Sequence, residues 1–267
     1  MTRRQWLAAL GVGSTAALAG CSSDDDSGGT DTDTDAGDTG NGTPSVSGTY
    51  DTVTASSFST LNPLYNTSSG AGTAIGRVLD QGYTFDADGE FFPLLYDMST
   101  DDGGSVWVFD VREGLSFGEP YGDVTAESFV YQIRELHQPD WAATAQSDSW
   151  GGITVEETGE FQFQAELPEA QLLWPESYDP LLYPIPVDLL EPYVDDEDAE
   201  GLQRDEELLE LTFTGNLGGY VLDNWERGSG TTYTRTDDYY LRAIEEGPDL
   251  FSNAPYFEGA SISVVEE

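Results

Sequence analysis

Lysine is absent from this sequence of 267 residues, and cysteine and histidine each occur once. The single cysteine, Cys21, excludes an intramolecular disulfide and a metal site built from several thiolates. The single histidine, His137, follows a predicted helix and has no Ser-His-Asp pattern or metal-ligand spacing around it. A solvated or helix-capping role is therefore favoured for His137 over a catalytic one.

Positive charge is also scarce, and all nine basic residues are arginines. Beyond residue 20 the chain carries 51 acidic residues against seven arginines, a formal net charge of −44 with histidine neutral. Such a field repels nucleic acid, so no nucleic-acid partner is expected.

The spread of the acids along the chain resembles that in proteins of extreme halophiles, where molar salt shortens the screening length to about 3 Å. The alternative, a surface for a cationic partner, predicts one dense patch. The densest run, residues 194–201, is predicted to be a solvated loop.

The N-terminal segment has an uncharged apolar stretch at 6–19, too short to span a bilayer, which takes about 20 residues. It follows Arg3 and Arg4 and ends in Leu-Ala-Gly-Cys at 18–21. Residues 1–20 therefore resemble a twin-arginine lipoprotein signal segment, with Cys21 as the lipidation site. This predicts a lipid-anchored protein on the extracellular face of the membrane. The alternative is a buried N-terminal helix that ends at a structural cysteine.

Apolar residues are nearly absent from 22–47, which consist mainly of Ser, Asp, Thr and Gly. Such a segment cannot bury enough surface to offset its ordering entropy, so residues 21–47 are predicted to form a disordered acidic tether. Its alternating aspartates resemble a calcium loop, but the closing glutamate is missing. Asn-X-Ser/Thr patterns begin at Asn41 and Asn66, which makes both asparagines candidates for glycosylation.

Residues 48–267 contain enough periodic apolar sequence for one sizeable core. The run 104–111 predicts a strand covered on both faces, whereas 160–167 alternates and predicts a strand with one wet face. The second strand is predicted to form a hairpin with 151–157. Helical spacing appears at 123–136 and more weakly at 205–213, and the last residues predict a further strand. The expected class is mixed α and β.

Three glycines spaced by four residues precede a predicted helix in “GLSFGEPYGDVTAESFVYQIREL” at 114–136. Glycines ahead of a helix suit phosphate binding. Here, however, four carboxylates surround the position, and no Lys-Ser or Lys-Thr follows. We therefore interpret the segment as a corner between a strand and a helix with Thr125 as its N-cap.

Several segments, in this order, resemble the family 5 extracellular solute-binding proteins, the oligopeptide-, dipeptide- and nickel-binding lipoproteins of ABC importers. The most specific is the strand, glycine corner and capped helix at 111–136. The others are “STLNPLYN” at 59–66, the run at 78–114 that contains Pro-Leu-Leu, “GNLGGYVLDNWERGSGTTYTRTDDYY” at 215–240, and the strand at 254–267.

The resemblance implies a bilobed protein that closes around a solute, usually a peptide, and delivers it to an ABC permease, and it does not imply catalysis. No cofactor and no metal site are expected. The expected fold is α/β with a mixed sheet, the N-terminal lobe of a type II periplasmic-binding-protein-like fold with an inserted α+β subdomain at about 75–170. Members of the family are longer, so the chain is expected to be truncated to this lobe. A cleft needs both walls, so weak ligand binding by this chain alone is expected.

Candidate ligand contacts follow from the same resemblance. In peptide-binding relatives the segment after Leu-X-Pro lines the cleft and bonds the ligand backbone, which here corresponds to Asn66, Thr67, Ser68 and Ser69. A glycosylated loop is the alternative. Trp141 or Trp150 would supply an aromatic wall, although a tryptophan in the core is the commoner outcome.

Other classes of function remain open at this stage. With 51 carboxylates, some pair will lie at glycosidase spacing by chance, so a glycoside hydrolase is the least favoured reading. A sugar-binding or adhesive surface module would share the leader, tether and glycosylation patterns, but it predicts repeats or an all-β fold. A non-functional fragment is a further alternative.

Overall fold

The computed structural model describes residues 45–265, apart from 56, 87, 102 and 245–248. The signal segment, Cys21, Asn41 and nearly all of the tether lie outside the described residues. The described residues all belong to one compact unit. Within them, no helix has the length and apolar character needed to cross a membrane.

Strands and short helices alternate along the described chain. The strands are β1 (Thr49–Thr54), β2 (Tyr83–Phe85), β3 (Phe91–Pro93), β4 (Tyr96–Ser99), β5 (Val106–Val111), β6 (Thr154–Gly159), β7 (Gln162–Glu166), β8 (Tyr220–Glu226), β9 (Gly230–Arg235) and β10 (Gly259–Val264). The α-helices are α1 (Ser69–Ile75), α2 (Ala126–Gln132), α3 (Ser147–Trp150), α4 (Val187–Asp196), α5 (Ala199–Arg204) and α6 (Glu206–Glu210). A π-helical turn, Ile133–His137, continues α2, and 3₁₀ turns cover Pro63–Tyr65, Trp174–Ser177, Tyr240–Ala243 and Asp249–Asn253.

The strands form two four-stranded sheets and one two-stranded ribbon. The first sheet has the order β1-β10-β9-β8, and its β1–β10 pair is parallel while the other pairs are antiparallel. The second sheet, β4-β5-β7-β6, is antiparallel throughout, and β2 pairs with β3. The first and last strands of the described chain are therefore neighbours, and everything between β1 and β8 is an excursion from the first sheet. The predicted α/β class with a mixed sheet is confirmed. The boundaries of the inserted subdomain stay a prediction.

The predicted hairpin at 151–167 is confirmed, because β6 and β7 pair in antiparallel fashion with one irregularity between Glu157 and Gly159. The prediction that the strand at 104–111 is covered on both faces is wrong. One face is buried, but Val106 and Val108 on the other face remain half-exposed. The reason is the neighbouring strand, which places Glu166 and Gln164 beside these two valines on the wet side of the sheet.

An aromatic cluster fills the core beneath the second sheet. Phe109 stacks on Phe163 with 4.3 Å between ring centroids, and Trp150 packs edge-on against Trp174 at 5.5 Å. Phe129 of α2 stacks on Phe163 from the helix side. Burying several aromatic side chains in one place makes this cluster a major hydrophobic contribution to the fold.

The glycine-spaced segment folds as the predicted corner. Phe117 N–H donates to the Gly122 carbonyl (2.8 Å), and Val124 N–H donates to the Leu115 carbonyl (3.0 Å). The side chain of Asn216 ties the corner to the other end of the chain, since its Oδ1 accepts from Ser116 N–H (2.9 Å). Thr125 is the N-cap residue of α2, as predicted.

The acidic run at 194–201 is solvated, as predicted, but it is not a loop. It comprises the end of α4, a left-handed residue at Glu197 (φ 50°) and the beginning of α5. Asp198 caps α5 by accepting from the Gly201 N–H at 2.8 Å. Asp198 and Glu200 are favourable at the start of α5, whereas Asp195 and Asp196 lie at the end of α4, where the helix dipole disfavours acidic side chains.

Candidate functional site

A buried asparagine positions the segment that was predicted to contact ligand. The side chain of Asn62 is fully buried; its Nδ2 donates to the Leu202 carbonyl (2.9 Å) and its Oδ1 accepts from Leu64 N–H (3.0 Å). These two bonds hold the 3₁₀ turn at Pro63–Tyr65. Tyr65 OH also donates to the Ala142 carbonyl (2.9 Å), so the turn is fixed from both sides.

The segment after this turn forms one wall of a cleft of about 510 Å³. Asn66, Ser68 and Ser69 line the cleft, whereas Thr67 does not line it and is exposed. Asn66 Oδ1 accepts from Ser68 N–H (2.9 Å), and Ser68 Oγ caps α1 by accepting from Ala71 N–H (3.2 Å). The turn and the cap fix the direction in which these hydroxyl and amide groups approach the cleft.

The opposite wall is an extended segment, 181–185, that sequence reasoning missed. Three glutamines bind it: Gln146 donates to the Leu181 carbonyl (2.8 Å), Gln132 to the Tyr183 carbonyl (2.9 Å) and Gln81 to the Tyr183 hydroxyl (2.8 Å). All three glutamines line the cleft. The available sequence signal was the spacing of prolines at 180, 184 and 186, which keeps this backbone extended and out of a helix.

His137 is buried at the cleft, so the prediction of a solvated or capping histidine is wrong. Its side chain is 2 % exposed, and its Nδ1 lies 2.7 Å from Thr144 Oγ1, which in turn lies 3.0 Å from Ser147 Oγ. Burial lowers the pKa of His137 to about 3, so the imidazole is neutral at ordinary pH. His137 follows Ile133 by four residues and Val130 by seven, so it lies on the buried face of this helical segment, and the spacing of the apolar residues already indicated its burial.

The two tryptophans proposed for an aromatic wall lie elsewhere. Trp150 has no exposed surface and packs against Phe109 and Trp174, so it is a core residue and not a wall of the cleft. Trp141 is half-buried and packs against the core, and it does not line the cleft either. In this chain, therefore, the structure brings Asn66, Ser68 and Ser69 together at the cleft but leaves both tryptophans out.

A second polar cluster surrounds Asp80, just before the cleft-lining Gln81. Tyr239 OH donates to Asp80 Oδ2 at 2.6 Å, and Asp80 N–H donates to the Leu217 carbonyl at 2.8 Å. Burial raises the pKa of Asp80 to about 6, and the hydrogen bonds from the tyrosines oppose that rise. The cluster joins the chain before β2 to the 3₁₀ turn after β9.

The polar groups that line the cleft are suited to hydrogen bonding. The described residues that line it offer hydroxyl, amide and imidazole groups, and no carboxylate, arginine or lysine is among them. General acid–base catalysis of the glycosidase type needs two carboxyl groups across the substrate, and this cleft supplies none. Within the described ranges, no three His, Cys, Asp or Glu side chains converge on a possible metal site.

The chain belongs to the bacterial extracellular solute-binding proteins of family 5, because the model of the middle part of that family matches residues 90–267. This confirms the resemblance that the segments at 111–136 and 215–240 indicated. No curated protein sequence matches the chain.

Solved structures share the fold at low sequence identity. The oligopeptide-binding protein AppA from Bacillus subtilis, in complex with a nonapeptide, superposes with a TM-score of 0.65 at 16% identity over 83% of this chain and 41% of its own. DppA from Helicobacter pylori with the peptide STSA gives a TM-score of 0.60 at 16% identity, over 83% of this chain and 43% of its own. NikZ from Campylobacter jejuni with Ni(L-His) gives 0.59 at 16% identity, over 81% and 39%. The chain thus spans about two fifths of these structures.

Proposed function

We propose that this chain forms part of a binding protein that captures peptides or similar small solutes for an ABC permease. The proposal rests above all on the uncharged, hydrogen-bonding cleft between the Asn66–Ser69 segment and residues 181–185, in a chain of family 5. Solved structures of the same fold hold a nonapeptide, the peptide STSA or a nickel–histidine complex. Extended peptides gain affinity through main-chain hydrogen bonds, which amide and hydroxyl walls can supply. The activity is binding and delivery.

The experiment is calorimetry of the 267-residue chain in molar KCl with pools of di- to nonapeptides. Binding stabilises the folded state, by about 2.7 kcal/mol at a ligand concentration of 100 times Kd, so a rise in Tm should accompany the heat of binding. Because binding by this part of the fold alone is expected to be weak, the pools are raised to millimolar concentration, and neither heat nor a rise in Tm at that concentration would count against peptides as the solute.

A matched pair of variants locates the binding site. Ser69→Trp places a large side chain in the cleft, whereas Thr67→Trp places the same side chain at an exposed neighbour that does not line it. We expect Ser69→Trp to abolish the heat of binding and Thr67→Trp to keep it. Equal loss in both variants, or in neither, would place the solute elsewhere.

We further propose that the chain is held at the extracellular face of the membrane through a lipid on Cys21. Two acyl chains would give stable anchoring, and one would not. Mass spectrometry of the membrane fraction should show a diacylglyceryl mass on an N-terminal cysteine, and Cys21→Ser should release the protein. Recovery of wild-type protein wholly in the soluble fraction would contradict this anchor.

Asn66 is a candidate both for solute contact and for glycosylation, and these two roles exclude each other. A glycan on Asn66 would occupy the cleft, because this asparagine lines it. Solute binding therefore requires Asn66 to be unmodified. Peptide mapping of protein from the native cell should find any glycan at Asn41 only.

A further inference from the structure

Charge is excluded from the cleft, although the chain as a whole is crowded with it. About one residue in five is Asp or Glu, so about three of the sixteen residues that line the cleft would be acidic if the acids were evenly spread. None of these sixteen described residues is acidic, and none is Arg or Lys. The cleft is therefore a neutral region in a strongly negative surface.

His137 is the one histidine of the chain, and it belongs to this neutral region. Its Nδ1 is engaged by Thr144, whereas no described residue forms a hydrogen bond with its Nε2. His137 as a whole is 2 % exposed, so only a small part of it meets solvent. His137 lines the cleft, so the cleft is the side from which a solute reaches this residue.

The three cleft glutamines have a similar free group. Each uses its amide nitrogen to bind the 181–183 segment, and no described residue donates a hydrogen bond to the amide oxygen of Gln81, Gln132 or Gln146. Besides the imidazole, the residues that line the cleft therefore offer the amide oxygens of these glutamines and the hydroxyls of Ser68 and Ser69.

We propose that the part of the solute held by this lobe is an uncharged stretch bearing amide groups, and that His137 Nε2 is one of its direct hydrogen-bonding contacts. This inference rests on the proposed function, since it takes the cleft as the solute site, and it adds the chemical class of the solute and one contact residue.

The free-energy cost of desolvation disfavours a charged solute group in this cleft. An ionised carboxylate or ammonium that enters this cleft gives up its hydration, and no charge of opposite sign on these walls replaces it. An amide gives up weaker hydration and recovers its hydrogen bonds from the imidazole, the glutamine oxygens and the serines. The neutral imidazole suits an uncharged partner for the same reason.

The test follows the two imidazole nitrogens by ¹⁵N NMR in molar KCl, where a single histidine gives one unambiguous pair of signals. Three small probes represent the three chemistries: N-acetylglycine N-methylamide, acetate and methylammonium. We expect the uncharged amide to shift the Nε2 signal saturably and the Nδ1 signal less, and the two ions to leave both signals unchanged. A saturable shift with acetate or methylammonium, or none with the amide, would overturn the proposal.

This result is separable from that of the peptide calorimetry. Peptide binding that leaves the His137 signals unchanged would refute the contact while the proposed function stands. An amide-induced shift without binding of any peptide would support the contact while peptides are rejected as the solute.

A variant measures the contribution of the contact. His137→Phe keeps an aromatic ring of similar size and removes both nitrogens, and loss of one hydrogen bond should weaken amide or peptide binding by about fivefold. Thr231→Val is the matched control, since Thr231 is equally buried and does not line the cleft. Unchanged affinity in a folded His137→Phe protein would contradict the proposal. If this variant does not fold, the NMR titration of the wild-type protein remains the deciding test.

Discussion

At the scale of single residues, Asn62 and Asp80 show how polar side chains hold the cleft from behind. Asn62 fixes the turn before the Asn66–Ser69 segment, and Asp80 fixes the chain next to Gln81. Neither side chain lines the cleft itself. Substitution of either residue should therefore change the stability of the fold more than the affinity for solute.

Asn62→Ala should destabilise the protein by about 2–3 kcal/mol, because the Leu202 carbonyl and the Leu64 N–H would lose their buried partners. Urea unfolding measures the change in free energy. Asn224→Ala, at an exposed position in β8, is the control and should differ from wild type by less than about 0.5 kcal/mol. Equal stabilities for the two variants would show that the buried amide does not hold the turn.

Asp80 predicts a dependence of stability on pH. The pKa of this carboxyl is about 6 in the folded protein against an ordinary value of 3.8, so the folded state binds the proton more tightly than the unfolded chain. Stability from this group is therefore complete below about pH 4 and is lost as the pH rises to about 6.

Asp80→Asn should remove that loss and stabilise the protein above pH 6 by an amount on the order of 2 kcal/mol. At pH 4 the variant and wild type should be nearly equal. Urea unfolding of both proteins at pH 4, 5, 6 and 7 in fixed salt provides the comparison, with Asp51→Asn as an exposed control. A constant difference across this range would exclude Asp80 as its source.

At the scale of elements, the glycine-rich segment 215–219 shows why the chain needs glycine where it passes another segment closely. A Cβ on Gly218 would collide with the backbone carbonyl of Val78. The same region places the Asn216 side chain against the glycine corner. These contacts join three of the segments on which the family resemblance rests, those at 78–114, 111–136 and 215–240.

Gly218→Ala should therefore destabilise the fold by at least about 2 kcal/mol, since a backbone atom cannot move aside as a flexible side chain can. Gly151→Ala is the matched control, because its φ is −59° and the nearest contact of an added Cβ is an ordinary 3.7 Å. Thermal unfolding of both variants tests this. A Tm of Gly218→Ala within a degree of the control would contradict the close approach.

Elements with a strong local pattern could be predicted from the sequence. Alternation predicted the β6–β7 hairpin, and the Thr125 cap predicted the start of α2. The wet second face of β5 could not be predicted, because the polarity of that face comes from its neighbour β7. Trp150 was misjudged because its burial depends on a distant residue, Trp174. The burial of His137 could have been predicted, because this residue continues the helical spacing of Val130 and Ile133. The second cleft wall lies over a hundred residues from the first.

At the scale of the whole molecule, negative charge dominates. A formal net charge of −44 beyond residue 20 opposes compaction at low ionic strength. Among the described residues, the ion pairs of Arg204 with Glu200 and of Arg235 with Asp237 involve few of these acids. Four of the described arginines, Arg112, Arg134, Arg235 and Arg242, donate to backbone carbonyls, as Arg112 does to the Leu94 carbonyl at 2.8 Å.

The midpoint of thermal unfolding should therefore rise steeply as KCl is raised from 0.2 to 2 M, because screening reduces the repulsion between acids in the folded state. Sucrose at matched osmolality is the control for general solvent exclusion, and it should produce a smaller rise. Equal effects of KCl and sucrose would mean that charge repulsion does not limit the stability of this chain.

The parallel pairing of β1 with β10 also has a mechanical consequence. The six residues of β1 lie in register with six of β10, from Thr49 opposite Gly259 to Thr54 opposite Val264. A pull on the chain before Thr49 and after Val264 acts at opposite ends of this pair, so it loads the strands in shear. The inter-strand hydrogen bonds then share the force together instead of opening one after another. The two points where the chain enters and leaves the first sheet are thereby clamped against tension.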